Sequence, residues 1–325
     1  MPETSRTYSL QSTSSTASRP VAVLLAGLTT IVLWSGTPIA NKIAVGHMDP
    51  MTAGVLRSML AGFIGAGIAL IAGFPRPKSA KLWALLMISG VASFALWPMI
   101  LSLGLGWTTA NHAAVIMAML PTLTGLLAAV IERKRPSLGW WSGIAIATAG
   151  AVLLVFYRSQ GTLLSEEGGL AGDLVILAGT LICTIGYIAG ARLSPVIGTW
   201  ATTFWGLATA LLVLIPSFLI LAPRTDWSSV GTAGWGAIAY MTICSSLVGY
   251  AAWFWALGHG GIARIGALQL LQPLLTVALA ALILSEDLTL ALALSAAAVL
   301  TGTVITQYGA AQPRRSRPPN ESLAS

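Results

Sequence analysis

Ten stretches of predominantly apolar residues, each about as long as a bilayer-crossing helix, follow one another along this chain and constrain its fold more than any other feature. A hydrocarbon core about 30 Å thick takes roughly 20 residues at about 1.5 Å of helical rise each. Breaking the chain at its charged and Pro/Gly-rich punctuation gives runs 21–45, 52–73, 81–103, 108–131, 138–157, 170–190, 199–222, 231–257, 262–284 and 289–308. Only 8% of the 325 residues are charged, where a soluble domain carries about 25%. With 56% of residues hydrophobic, one soluble core could not hide this much apolar surface. The fold class is an all-α polytopic membrane protein with ten expected transmembrane helices and the lipid bilayer as its solvent.

The segments between and beyond the runs are short. Residues 1–20 are polar and Ser/Thr-rich and are expected to form a disordered N-terminal tail. The first run is too long for a signal-peptide core and many like it follow, so it reads as a retained span. Residues 158–169 form a linker between the two halves, and 309–325, with PRRSRPP, a basic tail. Cys183 and Cys244 lie inside apolar runs and behave as small hydrophobes.

Lys and Arg in the loops set the orientation. With the N-terminus in the cytoplasm, the inner side carries Arg6, Arg19, Arg76, Lys78, Lys81, Arg133, Lys134, Arg135, Arg192, Arg264, Arg314, Arg315 and Arg317. The outer side carries only Arg158 and Arg224. Thirteen against two puts both termini inside, in a plasma membrane, expected to be a bacterial inner membrane. The basic composition follows from topology, and no nucleic-acid partner is implied.

An internal repeat underlies the ten runs. PTLTGLLAAVI (121–131) and PLLTVALAALI (273–283) agree at seven of eleven positions. The same offset of 152 residues aligns Ser93 with Ser245, Leu105 with Leu257, Gly106 with Gly258 and Gly150 with Gly302 without a gap. Five spans per copy is an odd number, so the second copy, 170–308, is expected to enter the membrane inverted relative to the first, 21–157. Inverted repeats are the architecture of many secondary transporters.

Within the spans, WSGTPIANK (34–42) interrupts an apolar helix at its middle. Pro38 removes a backbone donor and displaces the Trp34 carbonyl, and Gly36 loosens the same turn. Freed backbone groups are tolerated at membrane depth only in protein or beside a wet cavity. Trp34, Pro38 and Asn41 fall on one helical face, so Trp34 and Asn41 are expected to face such a cavity, with Gly36 and Pro38 as the hinge. Gln269 and Gln272, one turn apart beside Pro273, supply a matching surface, and Pro121 holds the equivalent place in the first copy. Interhelical hydrogen bonding accounts for the glutamines equally well. Lys42 and Arg57 flank the outer ends of the first two spans. They are expected to snorkel to the headgroups, with gating or contact to substrate charge as the other use. The small-residue ladder Ala61, Gly65, Ala69 and Gly73 reads as packing within the subunit, with a homodimer face as its alternative. Trp83, Trp107, Trp140, Trp141, Trp200 and Trp235 read as interfacial belt residues, leaving Trp34 as the central one.

The order of features resembles the EamA branch of the drug/metabolite transporter superfamily. The residues that carry the likeness are LWSGTPIANKIA (33–44), Pro50 followed by Arg57, YAAWFWAL (250–257), Pro273, LTVALAALILSEDLTL and Gly302. Where the second copy has Glu286, thirteen residues after its proline, the first has Lys134, with Glu132 two places earlier. The resemblance implies ten helices around a central cavity and transport of small metabolites such as amino acids, often outward.

No phosphate-binding GxxxxGK[ST] loop, HExxH or GxSxG pattern is present in the sequence, so no catalytic residue, metal or cofactor is assigned. The leading expectation is a secondary transporter working by alternating access on a small-molecule substrate, as an exporter or a facilitator/exchanger. A membrane-embedded enzyme acting on lipids would need acids, His or metal ligands gathered at one face. A receptor or scaffold would carry a soluble signalling domain, and the tails leave little room for one.

Overall fold

The computed structural model describes residues 18–131, 137–160, 169–260, 265 and 267–311. Most of the expected N-terminal tail, the basic loop 132–136, most of the 158–169 linker and the tail beyond residue 311 lie outside the described residues, and the first helix already begins at Ser18. Among the described residues every regular element is helical.

The first run forms two helices, α1 (Ser18–Ser35) and α2 (Thr37–Val45), and the second forms α3 (Pro50–Ile71). The third comprises α4 (Ala80–Gly90), a π-helical segment Val91–Leu96, and α5 (Trp97–Trp107). The fourth is split into α6 (Ala110–Met117) and α7 (Leu120–Ile131), and the fifth is α8 (Leu138–Gln160). Then come α9 (Gly169–Ile197) and α10 (Thr199–Leu221). The eighth run comprises α11 (Thr232–Ala239), a π-helical segment Tyr240–Gly249, and α12 (Tyr250–Gly260). A 3-10 turn Ala267–Leu270 leads into α13 (Leu271–Leu284), and α14 (Leu290–Ala311) closes the described chain.

Seven of these stretches are long and apolar enough to cross a membrane: Val21–Val45, Pro50–Ile71, Ala80–Trp107, Ala110–Ile131, Gly169–Ile197, Thr199–Arg224 and Thr232–Trp253. The apolar parts of the other three, Leu138–Leu154, Leu271–Leu284 and Leu290–Thr306, are shorter. Length and composition therefore carry seven crossings, and a count of ten needs these three to span as well. Large apolar side chains such as Ile71, Leu138 and Leu282 point outward and almost fully exposed, as lipid-facing residues do.

Local chemistry sets the helix starts. Asp49 caps α3, its carboxylate accepting the Thr52 N–H at 2.8 Å, with Pro50 in the first turn where no donor is needed. Thr109 caps α6 by accepting the His112 N–H at 3.2 Å. Pro38, Pro121 and Pro273 each stand in the first turn of a helical segment, just beyond an interruption. The chain breaks before each proline, at Gly36, at Ala118–Met119 and at the 3-10 turn, so the missing N–H falls where a helix leaves donors unused.

Contacts recur at the 152-residue offset. A side chain at Gly150 would collide with the Ser295 carbonyl, and one at Gly302 with the Gly143 carbonyl, so α8 and α14 approach backbone to backbone at two corresponding places. Thr242 donates to the Arg57 carbonyl at 3.3 Å, and at the corresponding positions Thr209 packs directly onto Gly90. Reciprocal contacts of this kind are expected of two halves related by a two-fold axis. The π-helical segments also correspond, Ser93 lying in one and Ser245 in the other. Ala61, Gly65 and Ala69 of the small-residue ladder pack on Phe204 and Leu207 of α10, so that face is filled within the chain.

Candidate functional site

Most of the interruptions meet around one cavity. It leaves about 130 Å³ open to the centre of a water molecule, room for several waters or part of a small solute. Its wall takes Trp34 and Pro38 from the first run, Arg57 and Ser58 from α3, and Ser93, Phe94 and Trp97 around the first π-helical segment. Ser245, Ser246 and Tyr250 come from around the second, Met117, Ala118 and Pro121 from the α6–α7 break, and Gln269, Gln272, Pro273 and Thr276 from the 3-10 turn and α13. Both halves contribute. Such π turns and broken helices leave backbone groups available inside a protein, and they recur at functional sites.

The first break is stitched to the second half by hydroxyls and an indole. The Trp34 indole N–H donates to the Ser245 carbonyl at 3.0 Å, and its ring meets Tyr250 edge-on with centroids 5.2 Å apart. The Tyr240 hydroxyl donates to the Leu33 carbonyl at 2.8 Å, and Thr276 donates to the Ser35 carbonyl at 3.1 Å. The Thr37 and Ser245 hydroxyls lie 2.7 Å apart. Gly36 is required here for close approach, because a methyl group at this position would overlap the Tyr240 hydroxyl.

Several sequence expectations are revised by these positions. Asn41 does not line the cavity; it is fully buried, and its Oδ1 accepts the Ser102 hydroxyl at 2.9 Å. The i, i+7 relation to Trp34 assumed an unbroken helix, and the interruption at Gly36 lies between the two. Gly36, expected as part of the hinge, lies at the break itself, beneath Tyr240. Lys42 does not snorkel: Nζ donates to the Leu105 carbonyl at 2.8 Å and the Thr108 carbonyl at 2.6 Å, capping the C-terminal end of α5. Arg57 does not reach the headgroups either. It is 6% exposed and lines the cavity, with Nη1 3.5 Å from the Met241 sulfur. Trp34 shares the interior with Trp97, and Trp140 is buried against Trp141 where a belt residue was expected.

A polar cluster closes the bundle at the end where α2 leads into α3. His112 Nδ1 lies 2.8 Å from Asp173 Oδ2, and the Thr108 hydroxyl donates to Asp173 Oδ1 at 2.6 Å. The Glu286 carboxylate accepts the N–H groups of Ala110 and Asn111, each at 2.8 Å, at the start of α6. Ser285, with φ +55°, turns the chain out of α13 just before it. Both carboxylates come from the second half and both partners from the first. Asp173 lies near the start of the sixth run and Glu286 between the last two, and no local pattern signals partners 61 and 176 residues away.

Comparison with known proteins identifies this architecture. The EamA-like transporter family model matches residues 21–156 and again 170–308. The chain belongs to that family. Residues of both matched segments line the cavity. The uncharacterized transporter YdeK of Bacillus subtilis is 32% identical over 268 residues, covering 82% of this chain and 90% of YdeK. A probable amino-acid metabolite efflux pump of Escherichia coli is 27% identical over 289 residues, 87% of this chain and 93% of that protein. The uncharacterized inner membrane transporter YedA of E. coli is 27% identical over 258 residues, 76% of this chain and 78% of YedA. A crystal structure with 22% sequence identity superposes at a TM-score of 0.59, covering 89% of this chain and 97% of that one, a likeness of fold alone. The EamA protein described here is therefore an integral membrane transporter.

Proposed function

We propose that this EamA protein is a secondary carrier of small amphipathic metabolites, amino acids or similar compounds, working by alternating access as an exporter or exchanger. Ten helices would cross a bacterial inner membrane as two inverted five-helix repeats, with both termini cytoplasmic. The observation that carries this reading is the cavity itself. It combines aromatic walls, two glutamine amides and interrupted helices, and both repeats line it.

Alternating access needs a closure on each side of a central site. The His112–Asp173 pair and the Glu286 cap tie one repeat to the other at the α2–α3 end, which suits a closed outer gate. The hydroxyl contacts around Gly36 would let α1 and α2 pivot while the cavity changes the side it faces. Similarity to a probable amino-acid metabolite efflux pump supports the substrate class and the outward direction. A carrier acts without chemistry on its solute, and that accords with assigning no catalytic group, metal or cofactor.

The reading is tested by reconstituting purified protein into liposomes preloaded with unlabelled amino acids and following entry of the same labelled solutes. Protein-dependent counterflow that saturates supports the carrier. No flux above protein-free liposomes across the panel would remove it.

A further inference from the structure

We infer that the cavity selects solutes bearing a single carboxylate, and that Arg57 is the group that binds it. The inference rests on the carrier reading and adds the charge of its substrate.

Arg57 lies seven residues into α3, about 10 Å along the helix at 1.5 Å per residue. Its side chain is buried at 6% exposure and borders the cavity. Among the described residues no carboxylate lies within ion-pair distance of it, Nε has no hydrogen-bond partner, and Nη1 faces only a thioether sulfur, a weak acceptor. Among the described residues no other Lys, Arg, His, Asp or Glu lines the wall. A guanidinium taken out of water without a counter-ion is strongly disfavoured, and ionisable groups within spans mark substrate or ion paths. A solute anion would supply the missing partner.

The fork of a guanidinium matches a carboxylate in plane and spacing, so two parallel N–H···O bonds can form. One positive charge suits a monoanion better than a dianionic phosphate. The position corresponding to Arg57 in the second repeat is Thr209, so the shared scaffold does not demand the charge. Elsewhere on the wall, the aromatic faces of Trp34 and Tyr250 suit an apolar body, and the amide oxygens of Gln269 and Gln272 can accept from an ammonium or hydroxyl. Among the described residues no carboxylate stands on the wall to hold a cationic solute.

The test measures binding to purified full-length protein at pH 7, using acid and amide pairs that share a body: propanoate and propanamide, 4-methylpentanoate and 4-methylpentanamide, 3-phenylpropanoate and 3-phenylpropanamide. In at least one pair the acid should bind about ten- to hundredfold more tightly than its amide. Arg57→Gln should bring that ratio to about one, and Arg57→Lys should keep part of it. Arg57→Gln without ligand should unfold at a temperature no lower than the wild type, because an unpaired buried charge has been removed. Absence of acid preference in every pair, or an unchanged ratio in Arg57→Gln, overturns the inference. Saturable counterflow of neutral or cationic solutes with no acid preference would overturn it and leave the carrier standing.

Discussion

His112 of the first repeat and Asp173 of the second meet at 2.8 Å, and this contact holds the two halves together at one end of the bundle. Asp173 is 1% exposed, with His112 at one carboxylate oxygen and the Thr108 hydroxyl at the other. Lys42 continues the chain by donating to the Thr108 carbonyl. Asp173→Asn should weaken this closure by about 1–2 kcal/mol. The check is the rate at which an external, membrane-impermeant thiol reagent labels Ser246→Cys with Cys183 and Cys244 replaced by Ser. Labelling should speed up when Asp173→Asn is added; an unchanged rate would show that the pair does not close the cavity.

Glu286 satisfies two donors that the start of α6 leaves without helical partners. Glu286→Gln keeps one acceptor oxygen and loses the negative charge that favours a helix N-terminus. Its unfolding midpoint should fall by an amount equivalent to about 1–3 kcal/mol. Glu286→Asp, one methylene shorter, should also lose stability, which a purely electrostatic role would not require.

At Gly36 a methyl group overlaps the Tyr240 hydroxyl. Gly36→Ala should therefore destabilise the protein by about 1–3 kcal/mol through overpacking. Tyr240→Phe loses the bond to the Leu33 carbonyl and should cost about 1 kcal/mol. Combined, the two should cost less than their sum, since the colliding oxygen is gone. Additive losses in thermal unfolding would mean that the two residues act separately.

Topology has its own test. A reporter active only outside the cytoplasm, fused to the C-terminus, should give no signal if both termini are inside. A strong signal would require either an odd number of spans or both termini outside, and would remove the assigned orientation.

The cavity was partly legible in the sequence because proline and glycine mark helix interruptions by their backbone chemistry alone. Pro38, Pro121 and Pro273 mark three breaks that border it, and Trp34, Gln269 and Gln272 stand beside them on its wall. Arg57 was misplaced for a physical reason. Distance from a helix end says that a long side chain can reach water, but which face of α3 turns inward is set by packing against α10 and the second π-helical segment. The π-helical segments left no residue signature, since one extra residue per turn changes geometry without changing composition. Seven crossings follow from length and hydropathy, while interrupted spans such as α13 fall short of the usual length.

The most direct test of the account is saturable counterflow compared across wild type, Gln272→Ala and Trp34→Ala in the same liposomes. Gln272→Ala should weaken the apparent affinity while the unfolding temperature and the amount reconstituted stay near wild type. Trp34→Ala should lower the rate further, because it removes both an aromatic wall and the bond to the Ser245 carbonyl. Wild-type rates and affinities in both variants would contradict the assignment of this cavity as the path of the solute.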